Sequence, residues 1–163
     1  MTNNDILRRL RYTFDFDDSK MIAIFALADQ TVTRQQVSAL LKKEDDPDYK
    51  SCNDNQLAIF LNGLINDKRG KKEGPPAVAE QQLNNNIIFR KLKIALDLQA
   101  EEVLEIIGLA DIYLSKHELS AFFRKPGHKH FRECKDQILR SFLKGLQLQY
   151  RPDEKPAAGF NWD

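Results

Sequence analysis

Three potential metal ligands lie close together in the second half of this 163-residue chain. His128, His130 and Cys134 fall within seven residues, and soft transition metals such as zinc bind imidazole and thiolate groups in sites of this kind. The matching segment of the first half carries two aspartates and Cys52, so the full ligand set occurs only once. The simpler expectation is that both cysteines are small buried residues and that the histidines lie on a solvated loop.

Acidic residues that recur in both halves are a second set with potential chemistry. Asp54 and Asp136 follow the two cysteines, and Asp29 and Asp111 lie at the ends of predicted helices. Paired carboxylates can serve as general acid and base. Asp54 and Asp136 are better explained as first-turn acids, which the helix dipole favours. We expect Asp29 and Asp111 to hydrogen-bond the neighbouring capped turn.

Sequence motifs of the common enzyme classes do not occur. The seven glycines form neither a GxGxxG nor a GxxxxGK[ST] phosphate loop, and the chain has no GxSxG or HExxH motif. We therefore expect neither an enzyme nor a cofactor.

Basic side chains concentrate in one region although the chain is nearly neutral, with 25 basic and 24 acidic residues. Residues 115–151 hold nine basic and three acidic side chains. Such a cluster can neutralise phosphates, and the second and third helices of each half loosely resemble a helix-turn-helix. The candidate residues for binding nucleic acid or another anion are Arg8, Arg11, Arg90, Lys93, Arg124, Lys125, Lys129 and Arg132.

Two equivalent loops have diverged in the sign of their charge. The segment 44–48 is strongly acidic, whereas its counterpart at 126–130 is basic. Opposite charges on equivalent loops could pair within one chain or between two chains. Such pairing would fix the relative alignment of the two surfaces more than it would raise their affinity for each other. The pattern suggests self-association as a hypothesis.

A duplication positions all of these residues. A shift of 82 positions aligns residues 3–69 with 85–151 without a gap, and identical residues recur throughout, including Phe-Leu-x-Gly-Leu at 60–64 and 142–146. Each copy has apolar residues at helical spacing, and Thr33-x-x-Gln36 and Ser115-x-x-Glu118 are capping boxes. We predict an all-α protein, built from two tandem copies of a roughly four-helix module related by pseudo-twofold symmetry.

The predicted boundaries follow from the same alignment. The first repeat spans 1–70, a linker with two adjacent prolines spans 71–83, the second repeat spans 84–151, and a flexible tail spans 152–163. Gly63 and Gly145 lie inside the fourth helices, where glycine costs about 1 kcal/mol relative to alanine. We expect these glycines, like Cys52 and Cys134, to be structural, and we expect another helix to approach them closely at the junction of the repeats.

Several segments together resemble the YehS-like family of bacterial proteins. They are Arg69-Gly70, the run Asn84-Asn85-Asn86-Ile87, the run from His128 to Cys134, and the segment 142–146. The resemblance covers residues 1–151. This family is a tandem repeat of a domain of unknown function, so the resemblance implies a bacterial cytosolic protein with a duplicated fold and implies no activity.

These observations favour a non-enzymatic binding protein of the bacterial cytoplasm whose partner is another protein or a second copy of itself. The alternative is nucleic-acid binding through the basic second repeat. A metal-binding protein or metal-dependent enzyme is the third hypothesis. We expect no membrane partner, because no apolar run approaches the roughly 18 residues that a membrane span requires.

Overall fold

The computed structural model describes residues 1–152, and the predicted tail from 153 onward lies outside the described residues. Helices account for all regular structure in this part of the chain, so the predicted all-α class is confirmed. Within residues 1–152, no helix combines the length and the apolar character that crossing a membrane requires. The eight described helices are α1 (Asn3–Thr13), α2 (Asp18–Leu27), α3 (Arg34–Leu41), α4 (Asp54–Arg69), α5 (Asn85–Ala95), α6 (Ala100–Gly108), α7 (Lys116–Ala121) and α8 (Asp136–Tyr150).

Local capping sets where these helices begin. The amide of Gln36 donates to Thr33 Oγ1 at 3.1 Å, and the amide of Thr33 donates to the Gln36 side chain at 2.8 Å. Ser115 and Glu118 form the same capping box at the start of α7. Each box satisfies donors that the first turn of a helix leaves free, and thereby fixes the starts of α3 and α7.

The two repeats pack reciprocally. Within each repeat the second helix packs against the fourth, α2 on α4 and α6 on α8. Between the repeats α4 packs against α5, and α8 packs against α1. The fourth helix of each repeat therefore contacts the first helix of the other, which is the arrangement that a pseudo-twofold axis produces.

The two helical glycines lie at close helix crossings, but not at the junction that we expected. A Cβ atom on Gly63 would collide with the carbonyl oxygen of Ile24, and one on Gly145 would collide with that of Ile106. Both contacts lie inside a repeat, between its second and fourth helices. Glycine is needed there because the backbones themselves touch, and the junction between repeats is formed by different faces of α4 and α8.

Four aspartates end helices in the left-handed conformation. Asp15 and Asp97 have φ of 54° and 52°, and Asp29 and Asp111 have φ of 62° and 63°. Aspartate tolerates this region better than most residues because its side chain is short and polar. The sequence led us to expect that the carboxylates of Asp29 and Asp111 accept hydrogen bonds from the neighbouring turn, but neither does so within residues 1–152, and Asp29 accepts from Nζ of Lys71 at 3.4 Å instead. A conformational role explains why these four aspartates recur in both repeats.

Candidate interaction surfaces

A buried asparagine in α1 holds the loop between α3 and α4 in place. The side chain of Asn4 is 1% exposed. Its Nδ2 donates to the carbonyl oxygens of Leu40 and Lys50, both at 2.8 Å, and its Oδ1 accepts from the amide of Cys52 at 2.9 Å. One side chain thus satisfies three backbone groups at the two ends of the loop, residues 42–53.

The second repeat contains the same brace. Nδ2 of Asn86 donates to the carbonyl oxygens of Phe122 at 3.0 Å and Arg132 at 2.9 Å, and its Oδ1 accepts from the amide of Cys134 at 3.0 Å. The α7–α8 loop, residues 122–135, is therefore fixed to α5 as the α3–α4 loop is fixed to α1. Sequence reasoning missed this role, although the recurrence of adjacent asparagines at the start of both repeats was a visible signal.

The neighbouring asparagines account for the repeated acids Asp54 and Asp136. Nδ2 of Asn3 donates to Asp54 Oδ1 at 2.8 Å, and Nδ2 of Asn85 donates to Asp136 Oδ1 at 2.7 Å. Both aspartates also lie in the first turn of their helices, α4 and α8, as the sequence predicted. These contacts join the first helix of each repeat to the start of its fourth, so the two carboxylates already have structural partners.

The two loops share one backbone conformation despite their different sequences. In the first loop the amide of Asp48 donates to the carboxylate of Asp46 at 2.8 Å. In the second the amide of His130 donates to Nδ1 of His128 at 3.0 Å, so an imidazole replaces the carboxylate at the same turn. Three backbone hydrogen bonds within or closing each loop also match, from residues 46, 49 and 50 and from residues 128, 131 and 132. The difference in sequence between the two loops has therefore changed their surface charge and left their backbone conformation the same.

Two clusters of charged side chains on these loops face outward and lack ion-pair partners within residues 1–152. The acidic cluster consists of Glu44, Asp45, Asp46 and Asp48, and the basic cluster consists of Arg124, Lys125, Lys129 and Arg132. All are exposed except the half-buried Asp46. No ion pair among residues 1–152 involves either cluster, so the two clusters do not neutralise each other within one chain.

The other predicted anion-binding residues do not join the basic cluster as one surface. Arg8 pairs with Asp5 and donates to the carbonyl oxygen of Lys42 at 2.9 Å, so its guanidinium holds the end of α3. Nζ of Lys93 lies 5.6 Å from the ring centroid of Phe123, next to the basic cluster. The two remaining residues are a half-buried arginine at position 11 and an exposed arginine at position 90 that lines a different cleft.

The structure separates the three predicted metal ligands. The side chain of Cys134 is only 1% exposed, and burial raises the pKa of its thiol to about 12. His128 and His130 are exposed, with ring centroids 5.5 Å apart, and the turn already uses Nδ1 of His128. Among residues 1–152 no three His, Cys, Asp or Glu side chains are grouped as they would be to hold a metal ion. The second cysteine, Cys52, is buried in the same way, and burial raises its thiol pKa to about 12.

A cleft that sequence reasoning missed lies between the inter-repeat linker, α4 and α5. Its volume is about 450 Å³, and its lining includes Asn62 from α4 and Arg90, Lys91 and Ile94 from α5. The linker is fastened beside it: Asn55 Nδ2 donates to the carbonyl oxygen of Glu80 at 3.0 Å. Because the linker has no counterpart between α1 and α8 in the described chain, the duplication could not predict this cleft.

Comparison with known proteins relates both halves of the chain to one family. A family model described as a protein of unknown function (DUF1456) matches residues 3–70 and again residues 85–151. The chain is 44% identical over 147 residues to the uncharacterized protein YehS of Escherichia coli strain K12, which covers 90% of this chain and 94% of that protein. No solved structure matches the chain significantly. The resemblance deduced from the sequence motifs is therefore confirmed, as is the tandem duplication.

Proposed function

We propose a function on the premise that this chain belongs to the DUF1456 family, a family of unknown function whose domain it carries twice. The protein acts by binding and not by catalysis, and its partner is a second copy of itself. The observation that carries this proposal is the pair of equivalent loops with the same backbone hydrogen bonds and opposite charge.

Pairing between chains is supported by charged clusters that have no partner within residues 1–152. The acidic and basic clusters form no ion pair within residues 1–152, and the asparagine braces hold both loops in defined conformations. A chain that carries one cluster of each sign can form a twofold dimer in which each acidic cluster pairs with the basic cluster of the other chain, which gives two such pairs. Such a closed arrangement leaves no unpaired cluster to recruit further copies.

Ionic strength offers a direct test of this association. Exposed charges are screened over about 8 Å at physiological ionic strength, so the dimer should weaken as salt is added. Sedimentation velocity of the full chain at increasing salt should show a dimer that dissociates into monomers. A monomer at every salt concentration, or a dimer indifferent to salt, would contradict the proposal.

Charge reversal on the basic loop identifies the surface. The double variant Lys125→Glu, Lys129→Glu should remain monomeric at low salt, because it cancels the positive charge of the basic cluster and leaves the acidic cluster of the second chain with nothing to pair with. The matched control Lys71→Glu, Lys72→Glu makes the same change in net charge on the exposed linker and should still dimerise. Loss of the dimer in both variants would show an effect of net charge alone and would count against the loops.

Nucleic acid is the second candidate, favoured by four unpaired cations on one loop beside His117, His128 and His130. The ring centroids of His117 and His130 lie 6.1 Å apart, so the histidines extend the same patch. The short α7, of six residues, supports a loop contact to phosphates more than a recognition helix.

Four phosphate contacts would give a slope of about −3.6 in log K against log salt, which a mobility-shift titration measures. Lys125→Glu with Lys129→Glu should about halve that slope, and a salt-independent signal excludes this candidate.

We also propose that the protein resides in the bacterial cytoplasm. Cys52 and Cys134 are both free thiols and buried, as is usual where glutathione keeps thiols reduced. Cell fractionation tests the assignment, and recovery of the protein outside the cytoplasmic fraction would contradict it.

A further inference from the structure

We propose that the cleft between the linker, α4 and α5 binds a small carboxylic acid with an apolar body. The cleft has a volume of about 450 Å³, within the range of small-molecule sites. It lies away from the charged loops, so this inference is independent of the proposed self-association. Its features are an unpartnered buried donor, uncompensated cations at the rim and an apolar wall.

The donor is the side-chain amide of Asn62. This residue is only 7% exposed, and its Oδ1 accepts a hydrogen bond from Nζ of Lys91 at 2.5 Å. An ammonium group can only donate, so the oxygen of the amide must face Lys91 and the NH₂ group must face away from it. Among the described residues Nδ2 of Asn62 has no hydrogen-bond partner. Nδ2 is buried as well as unpartnered, so a ligand oxygen would satisfy this donor by displacing the atoms that now cover it at the wall of the cleft.

The charge of the cleft selects an anion. Five basic and two acidic residues line it. Three of the basic residues are neutralised: Lys91 pairs with Glu80, Arg69 with Asp97, and Lys71 with Asp29. The two others, Arg90 and Lys72, form no ion pair within residues 1–152, and Glu73 is the one lining acid left without a partner there. The uncompensated charge is positive, and an arginine beside an amide donor matches the two oxygens of a carboxylate.

The walls select an apolar body. Leu27, Ala28, Ile65 and Ile94 line the cleft opposite the two linker prolines. Ile94 is 45% exposed, so an occupant of the cleft would cover apolar surface there. Proline has no amide hydrogen, so the linker offers few backbone donors of the kind that cradle a phosphate. A carboxylate with a hydrocarbon or aromatic group fits this combination better than inorganic phosphate.

The pseudo-equivalent position in the second repeat indicates that Asn62 is not required by the fold. A shift of 82 positions places Lys144 at the position of Asn62 and Tyr12 at that of Ile94. The same helical scaffold is built with these different side chains. The amide and the exposed isoleucine therefore belong to the linker side of the molecule alone, as expected of a binding site and not of a shared structural motif.

Side-chain amide NMR of the full, ¹⁵N-labelled chain tests the site. Phenylacetate and 4-methylpentanoate are the probes, phenylacetamide is the neutral control, and inorganic phosphate is the alternative anion. Phenylacetate should shift the Asn62 NH₂ resonances saturably and bind more tightly than phenylacetamide by about tenfold or more, the factor that one charge-assisted hydrogen bond supplies.

Two variants and a control decide the outcome. Asn62→Asp keeps the shape and the contact to Lys91 but removes the donor, so phenylacetate binding should be lost while thermal unfolding confirms the fold. Arg90→Gln should weaken binding, and Lys43→Gln, which removes an exposed cation outside the cleft and outside both charged clusters, should leave it unchanged. Equal binding of acid and amide, binding that survives Asn62→Asp, a response to phosphate alone, or no saturable response to either carboxylate would overturn the proposal.

Discussion

Asn4 and Asn86 each make three hydrogen bonds to backbone groups that no helix or sheet satisfies. A buried backbone group left without a partner costs about 1–3 kcal/mol, so one such side chain contributes substantially to stability. The recurring glycines and left-handed aspartates likewise meet backbone requirements. These recurring residues therefore lie where the backbone tolerates few residue types.

Replacing Gly145 by alanine should lower the free energy of unfolding by about 1–3 kcal/mol, the usual cost of overpacking, although alanine favours helix by about 1 kcal/mol. The reason is that the new methyl group would collide with the carbonyl oxygen of Ile106 and force α6 and α8 apart. Denaturant unfolding followed by circular dichroism measures the change. Gly108→Ala is the control, because its Cβ would lie 3.7 Å from the Tyr113 ring, an ordinary contact. A neutral Gly145→Ala would contradict the crossing described above.

The buried thiols of Cys52 and Cys134 predict a specific dependence on alkaline pH. Burial raises the pKa of each to about 12 from an ordinary value near 9, so the thiolate is favoured only in the unfolded chain. The stabilisation is therefore complete below about pH 9 and is lost as the pH rises towards 12. The free energy of unfolding should fall less steeply across that interval in the variant Cys52→Ala, Cys134→Ala than in the parent chain. Equal slopes would show that neither thiol is effectively buried.

At the scale of elements, the α3–α4 and α7–α8 loops show how the two repeats diverged. Apart from the two asparagine side chains, the braces and the matching turns are made largely by backbone atoms, which residues of almost any type supply. The charge of the loop could therefore change sign while its backbone conformation stayed the same. Even the side-chain contribution to the turn was exchanged, with His128 in place of Asp46.

Grafting residues 42–50 in place of residues 124–132 should leave the fold intact. Asn86 would still find two carbonyl oxygens and an amide to bond, so far-UV circular dichroism should not change and the free energy of unfolding should stay within about 1 kcal/mol of the parent. The graft carries two acidic loops, so self-association should be lost. Unfolding of the grafted chain at low denaturant would show that the loops are not interchangeable.

Much of this architecture follows from sequence, and the exceptions have physical reasons. The capping boxes at Thr33 and Ser115 fix helix starts locally, and the repeat predicts that both halves fold alike. The position of Gly145 against Ile106 depends on how α6 crosses α8, which no local pattern encodes. The linker cleft was also missed, because Asn62 and Lys91 are 29 residues apart and meet only when α4 packs on α5.

At the scale of the whole molecule, reciprocal packing makes the two repeats one unit. The contacts of α4 with α5 and of α8 with α1 place equivalent loops on a common scaffold related by a pseudo-twofold axis. A symmetric scaffold with one acidic and one basic loop is self-complementary, since a second copy presents the opposite charge at each place. The opposite charge of two loops with the same backbone conformation is thus the clearest difference between the surfaces of the two repeats.

Mixing two charge-reversed variants tests this central claim most directly. The triple variant Glu44→Lys, Asp45→Lys, Asp48→Lys makes both clusters basic, and the triple variant Arg124→Glu, Lys125→Glu, Lys129→Glu makes both acidic, so each variant alone should sediment as a monomer at low salt. Mixed in equal amounts, they should form a heterodimer that salt dissociates, because every basic loop again meets an acidic one. A mixture that stays monomeric while the parent chain dimerises would contradict pairing between the two loops.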